Sequence, residues 1–163
     1  MKTLLIVYHT MTGGSEQMAH AARRGAASEG EVEVRLLHAA DAGADDVLQA
    51  DAYVFVTPEN LAAISGVMKH FFDRTYYAVL ERVVGRYYAT LVCAGSDGTN
   101  AVRQVERICT GWRLKAACEA IIVCTRAQTP EKILAPKTIT QADLQRCEDA
   151  GAALAAGLAL GIF

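Results

Sequence analysis

Short apolar runs alternate with helix-length segments from one end of the chain to the other. Residues 4–8, 32–37, 52–57, 88–94 and 120–124 read as five strands, each followed by a helical or helix-length stretch. That alternation predicts an α/β protein, a parallel sheet with helices on both faces. The runs differ in kind. In the second, Val32, Val34 and Leu36 alternate with Glu31, Glu33 and Arg35, whereas the first, third and fourth are almost continuously apolar. Alternation marks a strand with one wet face, so the second belongs at an edge and the others inside. The predicted order is therefore 2-1-3-4-5, a three-layer, doubly wound sheet whose ligand site falls where the order reverses, between strands one and three.

The helical segments carry the matching period. Val102, Val105, Cys109 and Trp112 form one stripe, and Leu144, Cys147, Gly151, Leu154 and Leu158 another. Thr140 with Asp143 forms a capping-box-like start to the last helix. The one long irregular piece is 125–139, which contains Pro130 and Pro136 and reads as a surface excursion before that helix.

Composition narrows the class. With 163 residues, 52% of them apolar and 21% charged, the chain is expected to be one soluble globular domain spanning 1–163. A net charge of −2 without any basic run argues against nucleic acid as a partner. The opening apolar run is short and passes straight into a polar loop without a small-residue cleavage site, so it reads as a strand and not as a signal peptide or membrane segment. Cys93, Cys109, Cys118, Cys124 and Cys147 are odd in number and lack C-x-x-C spacing, which argues against a disulfide scaffold or zinc knuckle and fits a reducing cytoplasm. Cys93 and Cys124 lie in strand-like runs, where cysteine acts as a small hydrophobe. His20 and His38 have no ligand-spaced partner, so no metal site is expected.

Three loops at the carboxyl ends of the strands carry unusual chemistry. After strand one, Thr10, Met11, Thr12, Gly13, Gly14 and Ser15 lead into a helix. The hydroxyls can each donate, the glycines admit close approach to backbone N–H groups, and the helix adds its unpaired N–H groups and dipole. Together these predict an anion pocket that holds phosphate with neutral donors, since no Lys or Arg lies in the loop. The loop fits neither G-x-x-x-x-G-K-[ST] nor G-x-G-x-x-G, which argues against a nucleotide triphosphatase and an ordinary dinucleotide fold. After strand three, Thr57, Pro58, Glu59, Asn60 and Leu61 can border a planar ring, as can Ala94, Gly95, Ser96, Asp97 and Gly98 after strand four. Asp97 either accepts from a ring N–H or caps the helix beginning near Thr99. His9 sits beside the first loop as a ligand contact or a surface residue. Lys69, His70 and Asp73 read as exposed or helix-packing residues. No side chain stands out as a catalytic acid, base or nucleophile.

The first loop resembles the flavodoxin phosphate loop [ST]-x-T-G-x-[ST], with Thr10, Thr12, Gly13 and Ser15 in its positions. Residues 57–74 resemble the T-P-E-Y-N-x-S-[IP]-x-G-V-[LM]-K-N-x-[IF]-D-[RW] signature of NAD(P)H-dependent FMN reductases and related quinone reductases, matching at Thr57, Pro58, Glu59, Ser65, Gly66, Val67, Lys69 and Asp73. Asn60 and Leu61 replace the Tyr and Asn of that signature, which puts Leu61 where an aromatic would stack on the flavin. Met11, Gly13, Glu16, Met18 and Ala19 are also similar to the tryptophan-repressor-binding-protein-like quinone reductases.

The resemblance implies a flavodoxin-like fold, bound FMN, NADH or NADPH as electron donor and a quinone, free flavin or other small-molecule acceptor. Such chemistry belongs to the cofactor and needs no side-chain nucleophile. The alternative is a flavodoxin-type electron carrier, although the weak charge supplies little field to steer a protein partner. A receiver-type regulatory domain is disfavoured, because strand one ends in Tyr8-His9-Thr10 without the acids needed for Mg²⁺. The apolar fifth strand at a sheet edge and the aromatic run 71–77 suggest a homodimer; the opposing expectation is that 125–139 covers the strand and the aromatics fill the monomer core.

Overall fold

The computed structural model describes residues 1–163. Strands β1 (Lys2–Tyr8), β2 (Val32–His38), β3 (Ala52–Asn60) and β5 (Tyr87–Ala94) run parallel in the order β2-β1-β3-β5. Beyond β5, two short strands, β6 (Lys115–Ala116) and β7 (Ile121–Cys124), pair in parallel with its beginning and its end. The order expected from the polar alternation of the second run is thus the observed one. The strand count is corrected from five to seven: the fifth strand is broken, and a two-residue strand, β4 (Ala63–Ile64), folds back antiparallel on the end of β3. The break has a geometric cause. Residues 117–120 span the gap between β6 and β7, where only Ala89 and Thr90 of β5 stand opposite, so the longer side must bulge out of the ladder.

Side-chain alternation along the strands divides the core in two. Leu5, Val7, Tyr53 and Phe55 point to one face, where α2 (Ala44–Gln49), α3 (Gly66–Val79) and α4 (Thr99–Gly111) cover them with Val47, Phe71, Phe72, Cys109 and Trp112. Leu4, Ile6, Val54 and Val56 point to the other, under α1 (Gly14–Ala27) and α6 (Gln141–Ala159). Both stripes read from the sequence face this core; of their residues all but the partly buried Leu144 are buried. Thr140 caps α6 as expected, its hydroxyl accepting from Asp143 N at 3.2 Å. Phe71 and Phe72 of the aromatic run are buried in the monomer, packed around Phe55 and Trp112, while Tyr77 stays 81% exposed.

The segment 125–139 is more than a surface excursion. It contains a short helix, α5 (Pro130–Leu134), with no buried residue. It then returns to the end of β1, where Lys137 N donates to Thr12 O at 2.8 Å.

Candidate functional site

The loop between β1 and α1 is built to leave donors free. Gly13 caps α1 from the left-handed region (φ 91°) and offers no side chain to the first N–H groups of the helix. Thr10 Oγ1 accepts from Gly13 N at 2.9 Å, so its own O–H proton is directed elsewhere. Ser15 is 1% exposed, yet its hydroxyl has no partner. A buried hydroxyl of that kind costs stability unless something accepts from it. Gly14 lies so close to the end of β5 that a Cβ there would stand 2.6 Å from Cys93 Sγ. Open N–H groups, a spare hydroxyl and an orphaned one, all at a helix N-terminus, form an anion cradle.

The loop after β3 is fixed from behind by a buried chain of hydroxyls. Thr57 Oγ1 donates to Pro58 O at 3.0 Å and accepts from Ser65 N at 3.3 Å. Ser65 caps α3, accepting from Met68 N, and its hydroxyl lies 2.8 Å from His9 Nδ1. His9 is therefore not a surface residue: it is 8% exposed and ties the end of β1 to the start of α3. Burial, and next the nearby His38, hold its pKa below the ordinary histidine value, which keeps the ring neutral at physiological pH. In front of this chain, Asn60 and Ala63 close a two-residue hairpin whose central residues, Leu61 (φ 52°) and Ala62 (φ 61°), both take left-handed backbone. Asn100 Nδ2 anchors the turn on Ala62 O at 2.6 Å. Leu61 projects wholly into solvent at the tip and is not part of the cleft wall.

The glycine loop after β5 supplies the third side. Gly98 caps α4 from the left-handed region (φ 90°), again without a side-chain cap. The Asp97 carboxylate accepts from Thr99 N at 3.4 Å and from the Thr99 hydroxyl, a local turn just ahead of α4. Cys93 is buried, with its thiol pushed up to about 11 by burial against the opposing charge of Lys137, so it is a protonated wall residue and no nucleophile. Cys124, by contrast, is exposed and not the buried hydrophobe expected of it; Cys118 is also exposed, and all five cysteines are free.

These three loops and the 125–139 segment line one open cleft with a cavity volume of about 100 Å³. Thr10, Met11, Thr12, Gly14 and Ser15 form one end; Pro58, Glu59 and Asn60 one side; Ala94 and Gly95 the floor. Gly13, Thr57 and Gly98 stand behind the wall as cap or support, and Ser96 and Asp97 lie outside it, exposed. Sequence reasoning missed the fourth wall: Thr125, Ala127, Ile133, Leu134 and Lys137, together with Cys93. A five-residue helix without a buried face has no period to read, so nothing in its pattern ties it to the cleft. No group of three or more His, Cys, Asp or Glu is placed to hold a metal ion.

The cleft's chemistry agrees with what the chain is similar to. A family model described as NADPH-dependent FMN reductase matches residues 38–124, which run from the end of β2 to the end of β7 and leave out the anion cradle. A flavodoxin of Aquifex aeolicus is 38% identical over 97 residues, covering 60% of this chain and 50% of that protein. An NAD(P)H dehydrogenase (quinone) of Acidithiobacillus ferrooxidans is 30% identical over 118 residues, covering 60% of this chain and 59% of that protein. These matches span only half to three-fifths of the curated relatives. Among solved structures, a flavodoxin from the domain Archaea superposes with a TM-score of 0.80 at 20% identity, over 96% of this chain and 99% of that one. A WrbA-like flavodoxin from Agrobacterium tumefaciens gives 0.71 at 16% identity, over 98% and 99%. At these identities the two structures establish a common fold.

Proposed function

The chain belongs to the NADPH-dependent FMN reductase family, and on that premise we propose that it is a single-domain, FMN-dependent oxidoreductase that passes hydride equivalents from NADH or NADPH to a quinone, free flavin or other small acceptor. The orphaned Ser15 hydroxyl carries the reading, because a phosphate monoester at the N-terminus of α1 would accept from it, from Thr10 and from the uncapped N–H groups at once. FMN, when bound, supplies the two-electron chemistry. The chain supplies position. Thr10, Thr12 and Ser15 hold the phosphate end, while Pro58–Asn60 and Ala94–Gly95 flank the ring, the small residues admitting its plane. The apolar side chains of Met11, Ile133 and Leu134, each at least half-exposed at the cleft, border the face on which nicotinamide and acceptor would lie in turn. Five free thiols fit a cytoplasmic protein, and no helix is long and apolar enough to cross a membrane.

Flavin fluorescence quenching tests the anchor. FMN is expected to bind more tightly than riboflavin, and Thr12→Ala to lose about 1–3 kcal/mol of FMN affinity with little change for riboflavin. Equal affinities for the two flavins would remove the phosphate assignment. Turnover tests the chemistry: the FMN-loaded protein is expected to oxidise NADH or NADPH with an added quinone, with ping-pong kinetics because one cleft serves both substrates. A second reading, an electron carrier, is favoured by the 38% identity to a flavodoxin. Reduction by a protein donor, with neither nicotinamide bleaching the flavin, would select it.

A further inference from the structure

We propose that Lys137 is the counter-ion of the bound phosphate, delivered to a cradle that has no cation of its own by the segment returning from β7. The inference rests on the FMN reading above and extends it to a residue far from the loop in sequence. A phosphate monoester carries close to two negative charges at neutral pH, whereas residues 10–15 offer only neutral donors. Lys137 is the one basic residue among those that line the cleft. Its Cβ lies 3.5 Å from where a Cβ on Gly14 would sit, and its charge is felt at Cys93 in the cleft wall.

The backbone of Lys137 is held to the cradle at both ends. Its N–H donates to Thr12 O at 2.8 Å, and its carbonyl accepts from Gln17 Nε2 at the same distance. Gln17 also donates to Gly13 O at 2.9 Å, and through Oε1 accepts from Ile139 N at 3.1 Å. One side chain at the end of the first turn of α1 thus clamps the returning segment onto the phosphate loop. The ammonium group, meanwhile, takes part in none of the six ion pairs. It rests on the carbonyls of Lys132, Ile133 and Ala135 at the end of α5, at 2.8, 2.9 and 2.5 Å. Carbonyls satisfy its hydrogens but leave its charge unpaired, and an incoming phosphate can take over one or more of those contacts. The lysine therefore both closes α5 and neutralises the ligand, which makes the segment's position sensitive to phosphate.

The test is the ratio of FMN to riboflavin affinity, measured by flavin fluorescence at low and high salt for wild type, Lys137→Met and Lys137→Arg. Lys137→Met is expected to weaken FMN about 10- to 100-fold, to leave riboflavin within about twofold, and to flatten the salt dependence of FMN binding; Lys137→Arg is expected to keep most of the preference. Riboflavin binding serves as the control for folding. An FMN preference that survives in Lys137→Met overturns the proposal, as does equal weakening of both flavins, which would mean that the lysine only caps α5. A wild-type protein that does not prefer FMN overturns the phosphate reading itself, and the two failures are therefore separable.

Discussion

Ser15 separates the cost of the site from its use. Two buried hydroxyls in the molecule lack partners, Ser15 Oγ and Thr90 Oγ1. Thr90 lies in the middle of β5, away from the cleft, so an unpaired hydroxyl is not by itself a sign of a ligand; Ser15 earns that reading by lying in the cleft wall, at the uncapped end of a helix. Removing the oxygen should then have opposite effects in the two states. Ser15→Ala is expected to leave the ligand-free protein as stable as wild type or more stable by up to about 1 kcal/mol, since no hydrogen bond is lost and a desolvated group disappears. FMN affinity is expected to fall about tenfold as a charge-assisted bond is lost. Thermal unfolding without ligand and flavin titration measure the two halves, and a marked loss of stability in the ligand-free variant would mean that the hydroxyl already has a partner. The residues most legible in the sequence were those whose chemistry is local: Thr10, Thr12 and Ser15 needed only their loop. His9 was not, because its role is set by Ser65 on another element.

At the scale of elements, α1 and α6 meet backbone to backbone. A Cβ on Gly25 would stand 1.9 Å from Glu148 O, and one on Gly151 would stand 2.0 Å from Ala22 O. Two glycines at the crossing let the helices approach closer than any side chain allows, and the end of α6 is set at that distance over the same face of the sheet as α1. Alanine has the better helix propensity by about 1 kcal/mol, so an isolated helix would gain from Gly151→Ala. Here the clash is with a carbonyl, which cannot rotate away, and the helices must separate. Gly151→Ala is expected to cost about 2–4 kcal/mol net, at the upper end of overpacking penalties, read as a lower midpoint in urea. A variant as stable as wild type would show that the crossing can relax. The sequence placed Gly151 on the apolar stripe, which fixed its face; how close the neighbour comes is a property of two elements together. The same limit hid the cleft's fourth wall. The segment 125–139 is located by Gln17, Thr12 and Ala94, none of which its own pattern can signal.

For the whole molecule, the strand order was readable because burial on one face or two leaves a direct trace in the polarity of β1, β2 and β3. Oligomeric state leaves a weaker one. The surplus of rings in 71–77 is largely used within the chain, where Phe71 and Phe72 pack on Phe55 and Trp112; only Tyr77 remains an exposed ring of that run. The edge is different. β7 pairs with β5 alone, and the segment after it turns back along the cleft to reach Thr12 instead of running beside the strand as a further ladder. Ile121 and Ile122 are only partly buried and Cys124 is exposed on a strand with one open side, the arrangement that proteins otherwise cover or charge. We therefore expect a homodimer, with a mass of about 35 kDa by light scattering at micromolar concentration, twice the 17.5 kDa chain. A mass near that of one chain, with flavin bound and NAD(P)H turnover intact, would place the whole cleft within a single copy and leave the β7 edge protected by its shortness alone.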